Sequence, residues 1–179
     1  ESSTANTTGG YNTAIGARAL ESNVSGSRNT AVGFKALEDT GNGSDNTAIG
    51  WQALDDCSSS KNTAVGSGAL KLSTSGEYNT AVGADALDTN TTGTQNVAVG
   101  SGALMSVTTG SENTCVGGGE QGNNNAAGQA ITVGSRNTLI GRRAGSSIQN
   151  GANNVCLGNS AGRGLIIGGD NQCYIARDN

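Results

Sequence analysis

Asn12-Thr13-Ala14-Ile15-Gly16-Ala17-Arg18-Ala19-Leu20 is the stretch on which the reading of this chain turns. Its opening five residues return as Asn-Thr-Ala-Val-Gly from Asn29. Further copies start at Asn46, Asn62, Asn79, Asn96, Asn113, Asn137, Asn154 and Asn171, at spacings of 17, 17, 16, 17, 17, 17, 24, 17 and 17 residues. A second block follows seven residues after each start: Ala19-Leu20, Ala36-Leu37, Ala53-Leu54, Ala69-Leu70, Ala86-Leu87 and Ala103-Leu104, decaying to Ala144-Gly145 and Ala161-Gly162. A fixed period changes the meaning of every residue, because each repeat is one unit that buries its apolar face only by stacking on its neighbours. Residues 1–179 therefore read as a single repeat domain of about ten coils, with an insertion in the coil of residues 113–136.

Seventeen residues with Gly at the fifth position cannot hold a helix pair, which needs a longer repeat and better helix formers. A coil of short strands fits. Each Asn-Thr-Ala-Val run predicts one strand, Gly turns the corner, Ala-Leu is expected in a second short strand, and a polar loop closes the coil. Coils stacked at about 4.8 Å make a parallel β-solenoid, an all-β rod roughly 45 to 50 Å long. Every coil begins with Asn. Stacked amides form ladders, so Asn12, Asn29, Asn46, Asn62, Asn79, Asn96, Asn113, Asn137, Asn154 and Asn171 are expected to donate, amide to amide, from coil to coil. The fifth-position glycines fit a corner with positive φ, and Ile175 interrupts that column in the last copy.

Composition agrees with a rod and excludes much else. The 179 residues include 30 Gly, no Pro, no His and five aromatics. Without His, imidazole acid–base catalysis, Ser-His and Cys-His nucleophile pairs and His metal ligands are all excluded. The chain is 34% apolar with a net charge of −4, and so lacks the high net charge usual in disordered chains. No apolar run approaches the roughly 18 to 20 residues that span a bilayer, which speaks against membrane insertion. No cofactor, metal or enzymatic activity is expected, and paired carboxylates such as Glu38-Asp39 and Asp55-Asp56 read as solvated charge.

Adjacent strand residues point to opposite faces, so Ala14 and Ile15 cannot both face inward, and the same holds for Ala-Leu in a strand. Four apolar positions per coil, split between two faces, call for cover on both sides. Further copies of the chain would supply it, hence an expected homotrimer or similar bundle. A monomer whose second face packs on its own loops is the alternative.

Taken together, Asn-Thr-Ala-Ile/Val-Gly-x-x-Ala-Leu resembles the head repeats of YadA-like trimeric autotransporter adhesins and the repeat arrays of phage and viral tail-fibre-domain proteins. The resemblance spans about Tyr11 to Ala176. It implies left-handed β-rolls assembled as a homotrimer, extracellular, serving as a stalk or head that attaches a virion or cell to a surface. The period of 17 is longer than the adhesin repeat, and residues 1–179 include no heptad stalk. Both ends fall in mid-repeat, which reads as a piece of a longer fibre, or as half-coils that complement each other head to tail in a filament.

Several residues stand out against the scaffold. Phe34 and Trp51 follow the corner Gly in adjacent coils and form a candidate glycan or receptor contact, or else a packed corner. The insertion, with Glu120, Gln121, Asn123 and Asn124, is a second candidate contact, since rigid scaffolds present functional loops. Cys115, Cys156 and Cys173 take the third repeat position as small core residues. Cys156 and Cys173, one coil apart, are also within reach of a disulfide. Cys57, in the polar loop, is the candidate for exposure. Residues 121–179 carry five Arg and two Asp, against five basic and twelve acidic residues before them. Arg136, Arg142, Arg143 and Arg163 thus form a mildly basic end suited to an anionic surface or an acidic fibre segment, too sparse for nucleic acid. Sequons at Asn6, Asn23, Asn42 and Asn90 fall in expected loops. The first reading is a trimeric attachment segment whose partner is a cell-surface glycan or protein receptor. A self-assembling extracellular filament subunit is the second. An ice-binding solenoid, suggested by a Thr column with one Thr per coil, is the third.

Overall fold

The computed structural model describes residues 8–119, 125–163 and 169–176. Ten three-residue strands recur in chain order: β1 (Thr13–Ile15), β2 (Thr30–Val32), β3 (Thr47–Ile49), β4 (Thr63–Val65), β5 (Thr80–Val82), β6 (Val97–Val99), β7 (Thr114–Val116), β8 (Thr138–Ile140), β9 (Val155–Leu157) and β10 (Cys173–Ile175). They form one parallel sheet in the order β1 to β10, with Thr13 opposite Thr30 and Ala14 opposite Ala31. Among the described residues there is no helix. The chain is a parallel β-solenoid of about nine turns.

The asparagines explain why the coils stack in register. Asn29 is fully buried; its Nδ2 donates to the Gly43 carbonyl of its own coil at 2.8 Å, and its Oδ1 accepts the Asn46 backbone N–H at 2.9 Å. One side chain therefore closes its coil and ties it to the next. The same two bonds recur down the column, as at Asn79, which donates to Gly93 and accepts from Asn96, both at 2.9 Å. The expected amide-to-amide ladder is confined to Asn113, Asn137 and Asn154, whose Nδ2 atoms donate to the preceding Asn Oδ1 at 3.0, 2.9 and 3.0 Å. At these three positions as in the rest of the column, the backbone N–H also donates to the preceding Asn Oδ1 and Nδ2 also binds a carbonyl of its own coil.

Asn171 departs from the expected ladder. The N–H that bonds Asn154 Oδ1 belongs to Gln172, at 3.0 Å, while Asn171 takes the left-handed residue position that precedes the column (φ 58). The last strand is displaced by one residue, so Cys173 pairs with Val155 and Tyr174 with Cys156. Ala176, not Ile175, stands at the corner.

The Ala-Leu block is a turn, not a second strand. Leu20, Leu37, Leu54, Leu70, Leu87 and Leu104 all adopt φ between 51 and 55. That left-handed kink breaks strand alternation, so Ala36 and Leu37 both lie fully buried in their own coil. Of the four recurring apolar positions in a coil (the second and third strand residues and Ala-Leu), only the third strand residue faces outward. The premise that Ala-Leu needs cover from another chain is thereby corrected.

The corner requires glycine. Gly33 has φ 137, and a Cβ there would lie 2.3 Å from the Gly50 carbonyl oxygen. In the later coils the interior is exchanged by volume: the left-handed Leu site becomes Gly128 and Gly145, while Leu139 replaces a strand Ala and Ile131 and Ile148 replace the interior polar residues seen at Asn23 and Thr40. Leu139 fills the vacated space, since a Cβ on Gly145 would meet its Cδ1 at 2.7 Å.

Asn29→Ala strips the buried Asn46 N–H and the Gly43 carbonyl of their partners, at about 1–3 kcal/mol each, so urea unfolding should show a loss of roughly 2–6 kcal/mol. Thr47→Ala on the outer face is the matched control and should change stability by less than about 1 kcal/mol.

Candidate functional site

The rod offers two continuous surfaces. The first is the outer face of the sheet, where the first and third residues of each strand point outward. It carries a Thr column (Thr13, Thr30, Thr47, Thr63, Thr80, Thr114, Thr138) beside a Val/Ile column. Ile15, Ile49, Val82, Val99 and Ile140 are among its exposed apolar residues, and no strand residue of β1 to β9 is charged. Strand side chains that are β-branched hold few rotamers, so the face is stiff as well as apolar.

The second surface is the wall that follows the corner glycine. Phe34 and Trp51 stand on it in adjacent coils, 42% and 52% exposed, as the spacing predicts. Lys35 lies 6.0 Å from the Phe34 ring centre and Lys71 lies 5.9 Å from that of Trp51. Below the rings runs a carboxylate column. Glu38 is buried and bridges Arg18 and Lys35, the latter at 2.9 Å. Asp55, half-buried, accepts from Gln52 Nε2 at 2.8 Å. Burial first, then the hydrogen bond and negative charge of Glu38, pushes the Asp55 carboxyl up to about 6. Glu38-Asp39 and Asp55-Asp56 are thus more than solvated charge: one member of each pair packs into the wall.

The insertion leaves from this same wall. Gly119 N–H bonds the Ser101 carbonyl of the coil before, and the Asn125 carbonyl accepts from Arg143 N–H of the coil after. The Ala127 N–H then closes on the Gly117 carbonyl at 2.9 Å, as Ala103 closes on Gly100, so Ala127-Gly128 is the displaced Ala-Leu block of this coil. Glu120, Gln121, Asn123 and Asn124 lie outside the described residues.

The basic end is not one patch. Arg142 is exposed on the wall, Arg143 beside it bonds Asn125 Oδ1, Arg163 sits one coil on, and Arg136 occupies the position before the Asn column. That position forms a charged ladder missed by sequence reasoning: Arg28 pairs with Asp45 at 2.6 Å, and Lys61 reaches the Tyr78 hydroxyl at 2.5 Å. A serine ladder was missed too. Two residues before Asn, Ser27 N–H donates to Ser44 Oγ, Ser44 N–H to Ser60 Oγ and Ser111 N–H to Ser135 Oγ, at 3.0, 3.1 and 3.0 Å. The fixed offset from Asn was the available signal. Glu77 interrupts the ladder, and a shallow hollow lined by Ser75, Glu77, Tyr78, Thr94 and Gln95 marks the place.

Cysteines and sequons need correction. Cys156 points inward and Cys173 outward across the displaced register, and all four thiols are free. Cys57 is fully buried, its Sγ 3.3 Å from Ser59 Oγ. Burial raises the thiol pKa of Cys57, Cys115 and Cys156. Asn23 and Asn90 are interior, their Nδ2 atoms donating to the Gly26 and Gly93 carbonyls, so neither admits a glycan in the folded rod. Asn42 is exposed. Asn6 lies outside the described residues. Among the described residues no three His, Cys, Asp or Glu are grouped to hold a metal, and no helix is long and apolar enough to cross a membrane.

A thiol reagent under native conditions should modify one of the four cysteines, and Cys173→Ser should abolish that reaction while leaving three equivalents that appear on unfolding. A carboxyl raised above its unfolded value binds its proton more tightly in the folded chain. Its stabilisation is therefore present at low pH and lost as pH rises through the folded value. Melting temperature should accordingly rise as pH falls from about 7.5 to about 5, across the Asp55 value of about 6, with a smaller rise in Asp55→Asn.

No protein-family model matches the chain, nor does any curated protein or solved structure, so these two surfaces carry the functional reading by their own geometry.

Proposed function

We propose that this chain is a segment of an extracellular attachment fibre, a left-handed β-roll that assembles as a homotrimer and presents its wall and its insertion to a cell-surface glycan or protein receptor. The observation that carries this reading is the apolar column on the outer sheet face, with Ile15 60%, Ile49 41% and Ile140 42% exposed. Such a column, running nearly the length of a rod with a thin Ala and Leu interior, gains about 25 cal/mol for each Å² it buries against a copy of itself. It replaces the earlier argument from Ala-Leu, since the turn buries that block without a partner. The resemblance of the repeat to trimeric adhesin heads and tail-fibre arrays supports the handedness, the trimer and the extracellular setting.

Solution mass tests it: three times 17.6 kDa is expected for the intact chain, and Ile49→Lys with Val82→Lys should reduce it to the single-chain value with the β-sheet signal retained. A single-chain mass for the unaltered protein overturns the trimer.

The same face favours a second reading. One Thr per coil is a narrow array, but the Val/Ile column beside it makes a flat, uncharged, two-column lattice of stiff methyl and hydroxyl groups, which suits an ice surface. Thermal hysteresis that disappears in Thr47→Lys with Thr80→Lys would select this reading; its absence in the unaltered protein eliminates it.

A further inference from the structure

The position two residues before each column Asn decides how one edge of the rod is sealed. Gly10, Ser27 and Ser44 each donate their N–H to the serine Oγ of the next coil, at 3.1, 3.0 and 3.1 Å, and Thr94 and Ser111 do the same at 3.0 Å. Glu77 stands in this column and breaks it twice. Neither the Ser60 N–H nor the Glu77 N–H finds an acceptor among the described residues, and Thr94 Oγ1 is turned to Ser111 Oγ at 3.4 Å. The rung at Ser135 is open as well, because Ala152 brings no oxygen, but among the described residues only Glu77 leaves two successive rungs open. The gap gives onto the hollow of about 450 Å³ lined by Ser75, Glu77, Tyr78, Thr94 and Gln95.

The groups around this gap suit a sugar. Tyr78 is exposed, and Lys61 of the coil before holds its ring by donating to the hydroxyl at 2.5 Å, with Nζ 4.6 Å from the ring centre. A ring fixed in this way offers an apolar face to C–H groups at little further ordering cost. Beside it Glu77 and Gln95 present a carboxylate and an amide, and neither side chain has a hydrogen bond or ion pair with another described residue. A carboxylate accepts from two hydroxyls, an amide both donates and accepts, and the open Ser60 and Glu77 N–H groups add two donors. The same carboxylate repels an acidic sugar. We infer that this hollow is a saccharide site that takes one neutral hexose unit, its ring on Tyr78 and its hydroxyls on Glu77, Gln95 and the two open N–H groups. The site precedes the strand, whereas the wall of Phe34 and Trp51 follows it, so it goes beyond the contacts of the attachment reading and requires neither that wall nor the trimer.

Saturation-transfer NMR on the full chain tests it, with the methyl glycosides of glucose, galactose and mannose as neutral probes and N-acetylneuraminic acid as the acidic one. Transfer to at least one neutral glycoside is expected, with weaker binding of the acid. Tyr78→Asn removes the ring but keeps a residue type that Asn153 places at the same left-handed position, and it should weaken glycoside binding roughly three- to tenfold. Glu77→Ser is the sharper variant. It returns an Oγ to the ladder, so the melting temperature should rise while glycoside binding is lost. Glu112→Gln, exposed two coils further along the Tyr78 column, should change neither. No transfer to any neutral glycoside, tighter binding of N-acetylneuraminic acid, or binding that survives either Tyr78→Asn or Glu77→Ser unchanged overturns the assignment. Solution mass read on the same samples separates the two proposals: a single-chain mass with glycoside binding fails the trimer alone, and a trimer without glycoside binding fails this site alone.

Discussion

The structure depends on one asparagine side chain used twice. A coil of 17 residues with a three-residue strand has too little regular hydrogen bonding to close on itself, so something must hold its start to its end. The buried amide does this through Nδ2 and, through Oδ1, hands an acceptor to the first N–H of the next coil. Asp would bring a charge and lose the donor, and Gln brings one methylene too many for the same reach. In the described column Gln occurs once, at Gln172, where it supplies its backbone N–H while its amide turns to Asp170. Removal of water makes such doubly satisfied amides worth more than their surface counterparts, and leaving either half unmade correspondingly costly.

Around this column the interior is small but interchangeable. Early coils fill it with strand Ala, turn Leu and a polar residue such as Asn23, Thr40 or Ser73; later coils use Leu139, Gly128 or Gly145, and Ile131 or Ile148. The large side chain moves between walls from coil to coil, a redistribution that close packing tolerates better than a simple loss of volume. Coil length is equally adjustable. The coil from Asn46 to Lys61 lacks one residue, and Ser59 takes the carbonyl role that Gly has elsewhere, accepting Asn46 Nδ2 at 2.8 Å. The longer coil keeps its regular bonds up to Gly119 and again from Asn125 onward.

The strand, the corner and the inward Asn were legible in the sequence because each needs one residue type at one offset: Asn for its two-ended amide, Gly for φ near 130, and a small residue at the strand centre. The Ala-Leu turn was not. Its left-handed Leu is a conformation that sequence patterning reserves for Gly, and only the appearance of Gly128, Gly145 and Gly162 at the same site betrays it. The register slip at Gln172 was hidden because Asn171 matches the repeat by identity while the backbone counts from its neighbour. Of the two surfaces, the aromatic wall could be placed from Phe34 and Trp51 alone, but the pairing of Glu38 with Arg18 and Lys35 depends on which coil lies above which turn.

The direction of the inter-coil bonds has a mechanical meaning. Strand pairs, the asparagine acceptors and the serine ladder all join one coil to the next along the rod axis. Tension along that axis loads all of the bonds between two coils together, so a coil detaches only when the set fails as a whole. Tension on a single chain end instead strips them in sequence, one at a time. A rod of this construction is strong as a tether pulled end to end and weak as a thread pulled from its tip, and sharing the load across parallel chains would protect the weaker direction.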